Sequence, residues 1–350
     1  MNNNINIITN NNRSLYNSAP VKVKNKVMRR FSLFDGTGND LTACNNYDEA
    51  LLTSGLDYGA KQEKLYLADG TELPSNFAFT KSDDPSVILG VNGKQYTAVD
   101  NRTAFNVAEE LVEEDGFRYE LGGASIGCQN VVDYAKAFLV LRGDDFEIGD
   151  DAFNSFIVLQ NSFDGSSGVN FQVICQRLAC LNGLTRYLGG KKNQLRINIQ
   201  HSKTAESRIE IAKTIIKQRV EDIAYIKKEA EALIGIRMTK QEFEKEIIPL
   251  VLKEQKLVVD GQERQRGQER IEKVVYELCQ AYAMDDTANY ENTAYRTILA
   301  LSDYETHSTG LRDTKNPSLY MNRALKGFVL TSAVAMYIAQ TRGLNVKQFQ

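Results

Sequence analysis

Five cysteines, two histidines and two pairs of adjacent aspartates are the side chains of this 350-residue chain best suited to chemistry. Cys175 and Cys180 stand five residues apart, wider than the short spacing with which structural zinc sites gather thiolates. On a helix that interval puts the two thiols on different faces. Only His201 and His307 could complete a ligand set, so the pattern favours inert core thiols over a metal site. A nucleophilic Cys180 would need a nearby base and a lowered thiol pKa. Its neighbours Leu178, Ala179 and Leu181 suggest a helix interior, and Asn182 and His201 are spaced as a helix packed on a strand would space them. Asp144-Asp145 and Asp150-Asp151 could hold Mg²⁺ in a nuclease, but adjacent acids in a Gly-bounded loop fit a solvated turn better. Asp35-Gly36-Thr37-Gly38-Asn39-Asp40 lacks the third Gly and the helix start of a phosphate loop. The residues therefore predict no catalytic group, no metal and no cofactor.

A basic cluster is the strongest functional lead. Arg186, Lys191, Lys192, Arg196 and Lys203 fall close together with Tyr187 among them, and Arg208 and Lys213 follow. If a helix over 177–188 and a strand over 195–200 are antiparallel neighbours, Lys191 and Lys192 sit at the turn between them. Such a groove could neutralise phosphates while Tyr187 stacks on a base. The plainer alternative is a solvated helix end, where lysine also complements the helix dipole.

The elements that must position these residues follow from periodicity. Residues 21–98 read as short strands and loops, with turn signals at Asp35-Gly36, Asp69-Gly70 and Asn92-Gly93. Asn92-Gly93, between apolar runs at 87–91 and 95–99, predicts a hairpin. Residues 101–114 have helical spacing, with Asn101 or Thr103 as cap. Strands are expected over 119–126, 137–141, 153–160 and 169–174, with 161–168 as a loose β-connection. The leucines at 178, 181, 184 and 188 predict a helix over 177–188, stopped by Gly189-Gly190. A short strand over 195–200 follows. Helices are then expected over 205–233, from a capping box at 238–242 towards Leu252, over 271–284, and over 324–340 before Gly343. In the long helix, Ile209, Ile211, Ile215, Ile216, Val220, Ile223 and Ile226 make the apolar side.

These elements predict an α+β fold: a polar tail at 1–20, an α+β core at 21–203 and a helical region at 204–350 packing on it. Hydrophobic residues at 42% and charged residues at 25% fit an ordinary globular protein. The net charge of −3 excludes a surface that is basic throughout, though not a local groove. No apolar run is long enough to span a membrane, and the Asn-rich start lacks the features of a signal peptide. An odd number of cysteines without regular short spacing fits reduced thiols and a cytoplasmic setting.

Three ordered pieces then carry a family resemblance. They are Ser162-Phe163-Asp164-Gly165-Ser166-Ser167, Arg177-Leu178-Ala179-Cys180-Leu181-Asn182-Gly183-Leu184, and the strand from Arg196 that ends in His201-Ser202-Lys203. Together they resemble the phage- and plasmid-associated family catalogued as domain of unknown function 932. Its pattern is a serine-rich turn, an Arg-x-x-Cys-x-Asn-Gly element and a strand ending in His. Ala333-Val334-Ala335-Met336-Tyr337 is similar to that family's closing helix. The chain departs from the family in its long charged stretch at 206–270 and in having no Trp. The resemblance implies Arg177, Cys180, Asn182 and His201 as structural motif residues, and a phage or plasmid setting in a bacterial host. The order of helix, three strands and a long helix is also faintly similar to the core of single-strand annealing proteins, which hold DNA in a basic groove as rings.

The expectation is a homo-oligomeric DNA-binding protein of recombination or replication, with single-stranded DNA as partner through Arg186, Tyr187, Lys191, Lys192, Arg196 and Lys203. A non-enzymatic interaction protein that modulates host defence is the alternative, and a metal-dependent nuclease the third.

Overall fold

Alternating and continuous apolar runs between residues 118 and 177 build the central sheet. The computed structural model describes residues 38–126, 132–177, 183–184, 196–220, 223–259, 262–263, 268–284, 289–308 and 329–345. Strand β1 (Asn39–Asp40) pairs with β5 (Arg118–Ile126), which pairs in turn with β6 (Val132–Arg142), β8 (Asp151–Ser162) and β9 (Val169–Arg177) in sequence order, all antiparallel. Strand β7 (Phe146–Ile148) folds back on β8 as a side hairpin. Two short strands share the outer edge of β9: β10 (Gly183–Leu184) at one end and β11 (Arg196–Ile199) at the other. A separate three-stranded sheet holds β2 (Ala60–Tyr66), β3 (Glu72–Lys81) and β4 (Asp84–Gly93), and β12 (Val258–Val259) pairs with β13 (Gln262–Glu263).

The side-chain period of a strand splits the large sheet into two faces. Leu139, Leu141, Ile157, Leu159, Phe171 and Val173 join a main core shared with the helices. Phe138, Val140, Phe156, Val158 and Ile174 make a smaller cluster on the opposite face.

Helices α1 (Tyr47–Ser54), α2 (Asn101–Ala104) and α3 (Val107–Glu114) lie in the β-rich half. After β11 the chain is mostly helical: α4 (Ala205–Val220), α5 (Ile223–Ile234), α6 (Lys240–Glu242), α7 (Ile248–Glu254), α8 (Gln268–Tyr282), α9 (Ala294–Asp303) and α10 (Val329–Thr341). The architecture is α+β, with strands concentrated before residue 200 and helices after it. The capping box is present: Thr239 accepts from the Glu242 N–H, and Glu242 reaches back to the Thr239 N–H at 2.7 Å. The helix it opens passes through a π-helical turn, Phe243–Ile247, which buries Phe243 and Ile247. No helix among the described residues is long and apolar enough to cross a membrane.

Several sequence expectations are corrected. The helix over 177–188 is not formed where the chain is described: Arg177 ends β9, and Gly183 and Leu184 pair with Gln176 and Cys175. Leucines three or four apart suit a helix, but here sheet pairing decides. Asn92-Gly93 is no turn; both residues lie in β4, opposite Phe77 and Asn76, and the hairpin turns instead at Ser82-Asp83. Asp69-Gly70 does turn the β2–β3 hairpin, with Gly70 at φ +87°. Neither Asn101 nor Thr103 caps a helix, because the N-cap positions fall on Asp100 and Asn106. Helix α1 was expected as loop and strand; Asn46 caps it and Gly55 closes it in the left-handed conformation. Ile211, expected on the apolar side, is 62% exposed.

One buried ion pair fastens the far end of β9. Arg177 is fully buried and donates to Asp151 at 2.5 Å. Tyr290 fixes the turn beside it, donating to the Ile148 carbonyl at 3.0 Å and accepting from the Asp150 N–H at 3.2 Å. Removing one member of a buried pair strands the other charge away from water, at a cost of about 3–5 kcal/mol. An Asp151→Ala chain should therefore lose stability on that scale, seen as a lower urea midpoint at unchanged m-value. An unchanged midpoint would show that the pair contributes nothing.

Candidate functional site

The connection from β8 to β9 is the serine-rich segment, and its backbone course is set by its own side chains. Asp164 accepts from the Ser162 hydroxyl at 2.5 Å and from the Ser166 N–H at 2.9 Å. Gly165 follows at φ +75°, a conformation that costs glycine nothing. Asn170 then donates to Ser167 Oγ at 2.6 Å and to the Gly168 carbonyl at 2.9 Å. Lys136 on β6 reaches Asp164 at 3.3 Å and Asp133 at 3.5 Å. Burial opposes ionisation of Asp164, but the bonds from Ser162 and Ser166 and the Lys136 charge outweigh it and hold the carboxyl below its usual range.

Polar side chains from the 92–101 segment grip the same connection. Asn92 donates to the Phe163 carbonyl at 2.8 Å, and Tyr96 donates to the Ser162 carbonyl at 3.2 Å. Asn161 donates to the Val99 carbonyl at 2.8 Å and to Asn101 Oδ1 at 3.0 Å. Gly90 leaves room for this contact, since a Cβ there would lie 2.7 Å from Asp164 Cα. Asn92 thus serves a long-range contact, which explains why it sits in a strand.

His201 joins the two segments. Its ring stacks on Tyr96 with centroids 4.8 Å apart and lies 6.4 Å from the Phe163 ring. Nδ1 accepts the Val99 N–H at 3.2 Å, which requires the neutral imidazole to carry its proton on Nε2. Burial lowers its pKa to about 4, partly offset by a hydrogen bond to the Thr97 backbone. The imidazole is thus neutral, stacked on Tyr96 and occupied at Nδ1.

The other motif residue that is described lies elsewhere. Arg177 is at the opposite end of β9 from the serine segment, about 30 Å along the strand at 3.3 Å per residue. Cys180 and Asn182 lie outside the described residues. Cys175 is fully buried, which pushes its thiol up, and burial likewise pushes Cys279 up to about 11. The aspartate pairs do not present paired carboxylates: Asp150 is exposed while Asp151 is buried on Arg177, and Asp145 is held by Arg142 at 3.2 Å.

Of the six residues expected to bind nucleic acid, Arg186, Tyr187, Lys191 and Lys192 lie outside the described residues. Arg196 opens β11, which pairs with β9 rather than with a helix: Arg196 stands opposite Gln172 and Asn198 opposite Asn170. Ile199 of β11 is buried while Asn198 and Gln200 are exposed, so the strand sorts its residues by face. Lys203 is exposed just beyond His201. The helix–strand groove is thus replaced by an edge strand that leads from Arg196 to Lys203. What sequence reasoning missed is the 92–101 segment as the other wall of the His201 site. No local pattern in that segment signals it, because its partners lie about sixty to a hundred residues further along the chain.

A family model described as Domain of unknown function (DUF932) matches residues 88–326, which takes in the serine segment, Arg177 and His201 and ends before α10. The likeness of 333–337 to a family helix therefore falls outside the matched span. No curated protein and no solved structure matches the chain.

The buried imidazole makes a pH prediction with a definite sign. The folded pKa is lowered to about 4 against about 6.5 for a free histidine. Between those values the unfolded chain holds a proton that the folded chain refuses. The stabilisation is complete above about pH 6.5 and falls by about 1.4 kcal/mol per pH unit on the way down to about pH 4. Urea unfolding of the wild type and a His201→Gln variant from pH 7 to 4.5 should show the stability gap between them closing as pH falls. A gap independent of pH would mean that His201 titrates normally.

Proposed function

The chain belongs to the family described as a domain of unknown function (DUF932), a description that assigns no activity, and on its residues we propose a non-enzymatic DNA-binding protein. In this reading it is phage- or plasmid-encoded, acts in the bacterial host cytoplasm, and serves single-strand annealing, recombination or replication as a homo-oligomer. The observation that carries the proposal is the edge of the sheet at β11. Arg196, exposed Asn198, exposed Gln200 and exposed Lys203 follow one another there within eight residues. Cations and amides along one edge suit a phosphodiester backbone, which is bound chiefly through charge and is insensitive to sequence. His201 is stacked and neutral, and Asp151 is paired with Arg177.

A second reading, an interaction protein that modulates host defence, draws on the apolar side chains that β4 leaves in solvent. Ile88 is 67% and Val91 53% exposed there. The nuclease reading has the least support, because its acids are dispersed.

Labelled single- and double-stranded oligonucleotides in a gel shift test the proposal. Wild type should retard single strands, and retardation should weaken steeply between 50 and 200 mM salt, by about 300-fold or more if six or more phosphates are contacted. A Lys191/Lys192/Arg196→Glu variant that folds normally should bind far more weakly. Equal binding by that variant, or binding indifferent to salt, removes the proposal, and Mg²⁺-dependent cleavage would favour the nuclease.

A further inference from the structure

The stacking of Tyr96 on His201 brings a second exposed segment alongside the end of β11. Residues 94–98 follow β4 and alternate in burial: Lys94, Gln95 and Thr97 are exposed, while Tyr96 and Ala98 are partly covered. The backbone here is held on both sides. Lys94 N–H donates to the Ser75 carbonyl at 3.1 Å, and Val99 N–H donates to His201. Across the stack lie exposed Asn198, Gln200 and Lys203. Lys94 and Lys203 are each two residues from the stacked pair, so each backbone lies within about 7 Å of a stacked residue.

The lysines of the β-rich half are of two kinds, paired ones and others that, like Lys61, Lys94 and Lys203, are exposed without a carboxylate partner among the described residues. Lys64, Lys81 and Lys136, all in the same β-rich half, are bound to Glu72, Asp83 and Asp164 respectively. Among the described residues Lys94 and Lys203 have no carboxylate partner. Asp164 is engaged by Lys136 and its own loop, and Asp100 accepts the Ala60 N–H at 3.1 Å, while Glu206 stands exposed three residues beyond Lys203. Two ammonium groups without a carboxylate partner therefore flank a polar strip whose backbone is fixed by the stack of half-buried Tyr96 on buried His201. A fixed strip suits a ligand bound by charge, since little ordering entropy is lost on binding.

We infer that the phosphate track extends past Lys203 onto the 94–97 segment, with Lys94 as a contact to the backbone of a single-stranded nucleic acid. This inference rests on the DNA-binding reading and gives that reading a location among rigidly held residues. Lys94 and Lys203 act as point charges on phosphates and contribute no base preference.

Fluorescence anisotropy with a labelled oligo(dT), titrated at several salt concentrations, tests it. Each phosphate contact on a single strand contributes about 0.7 to the slope of log K against log[salt]. Lys94→Ala and Lys203→Ala should each lower the slope by about that amount. Lys61→Ala, on the outer strand of the three-stranded sheet, should leave it unchanged. If wild type binds with a salt-dependent slope that neither Lys94→Ala nor Lys203→Ala alters, the extended track is overturned and the DNA-binding reading stands. An equal effect of Lys61→Ala would reduce both lysines to general charge and also overturn it. If wild type binds no oligonucleotide, both proposals fall.

Discussion

Strand β9 is buried along all nine residues, yet it carries Asn170, Gln172, Gln176 and Arg177. A polar group taken out of water without a partner costs about 1–3 kcal/mol, and a charge costs more. This strand can therefore exist only where the fold supplies partners. Asn170 finds them in the turn that precedes it, which binds that turn to the strand. Arg177 finds Asp151 at the start of β8, which sets the length over which the two strands pair. The polar residues of β9 thus fix its register at both ends, where an all-apolar strand could slip by two residues without changing its faces.

The same logic holds the serine segment in place. Its carbonyls at Ser162 and Phe163 are covered by Tyr96 and Asn92, residues more than sixty positions away in sequence. His201 closes the arrangement by accepting from Val99, whose carbonyl is already bonded to Asn161. The bonds from Asn92, Tyr96, Val99 and Asn161 all cross between segments, so loosening one segment exposes unpaired groups on the next. Such a network specifies one arrangement at the cost of tolerating few substitutions.

Elements governed by local pattern were legible in the sequence. Strands β5, β6, β8 and β9, the capping box at Thr239 and the helices at 205–234 and 268–282 follow from period and cap chemistry. The failures share a cause. Asn92-Gly93 has the residues of a tight turn, but its Asn is committed to Phe163, and no local rule contains that partner. Arg177 looks like a helix start because a buried arginine is improbable until Asp151 is placed beside it. The convergence of the serine segment with His201 could be suspected from their order in the chain. The part played by Tyr96 and Lys94 could not, since they come from a strand end about a hundred residues earlier.

A chain with a net charge of −3 is compatible with a local cationic track because of where its acids stand. On α3, Glu110 is bound by Lys213, and Lys213 also holds Glu210. Lys213 lies eight residues into α4, about 12 Å along the axis from the helix start next to Lys203. At physiological salt the Debye length is about 8 Å, so solvent-exposed carboxylates at that distance barely act on Lys203. Of the acids closer at hand, Asp164 has its oxygens taken by Lys136, Ser162 and Ser166, Asp100 accepts the Ala60 N–H through one oxygen, and Glu206 stands exposed in the first turn of α4. Net charge sets solubility and long-range steering, whereas what a bound phosphate meets is decided within one screening length. Lys94 and Lys203 are the lysines without a carboxylate partner among the described residues of the two segments joined by His201.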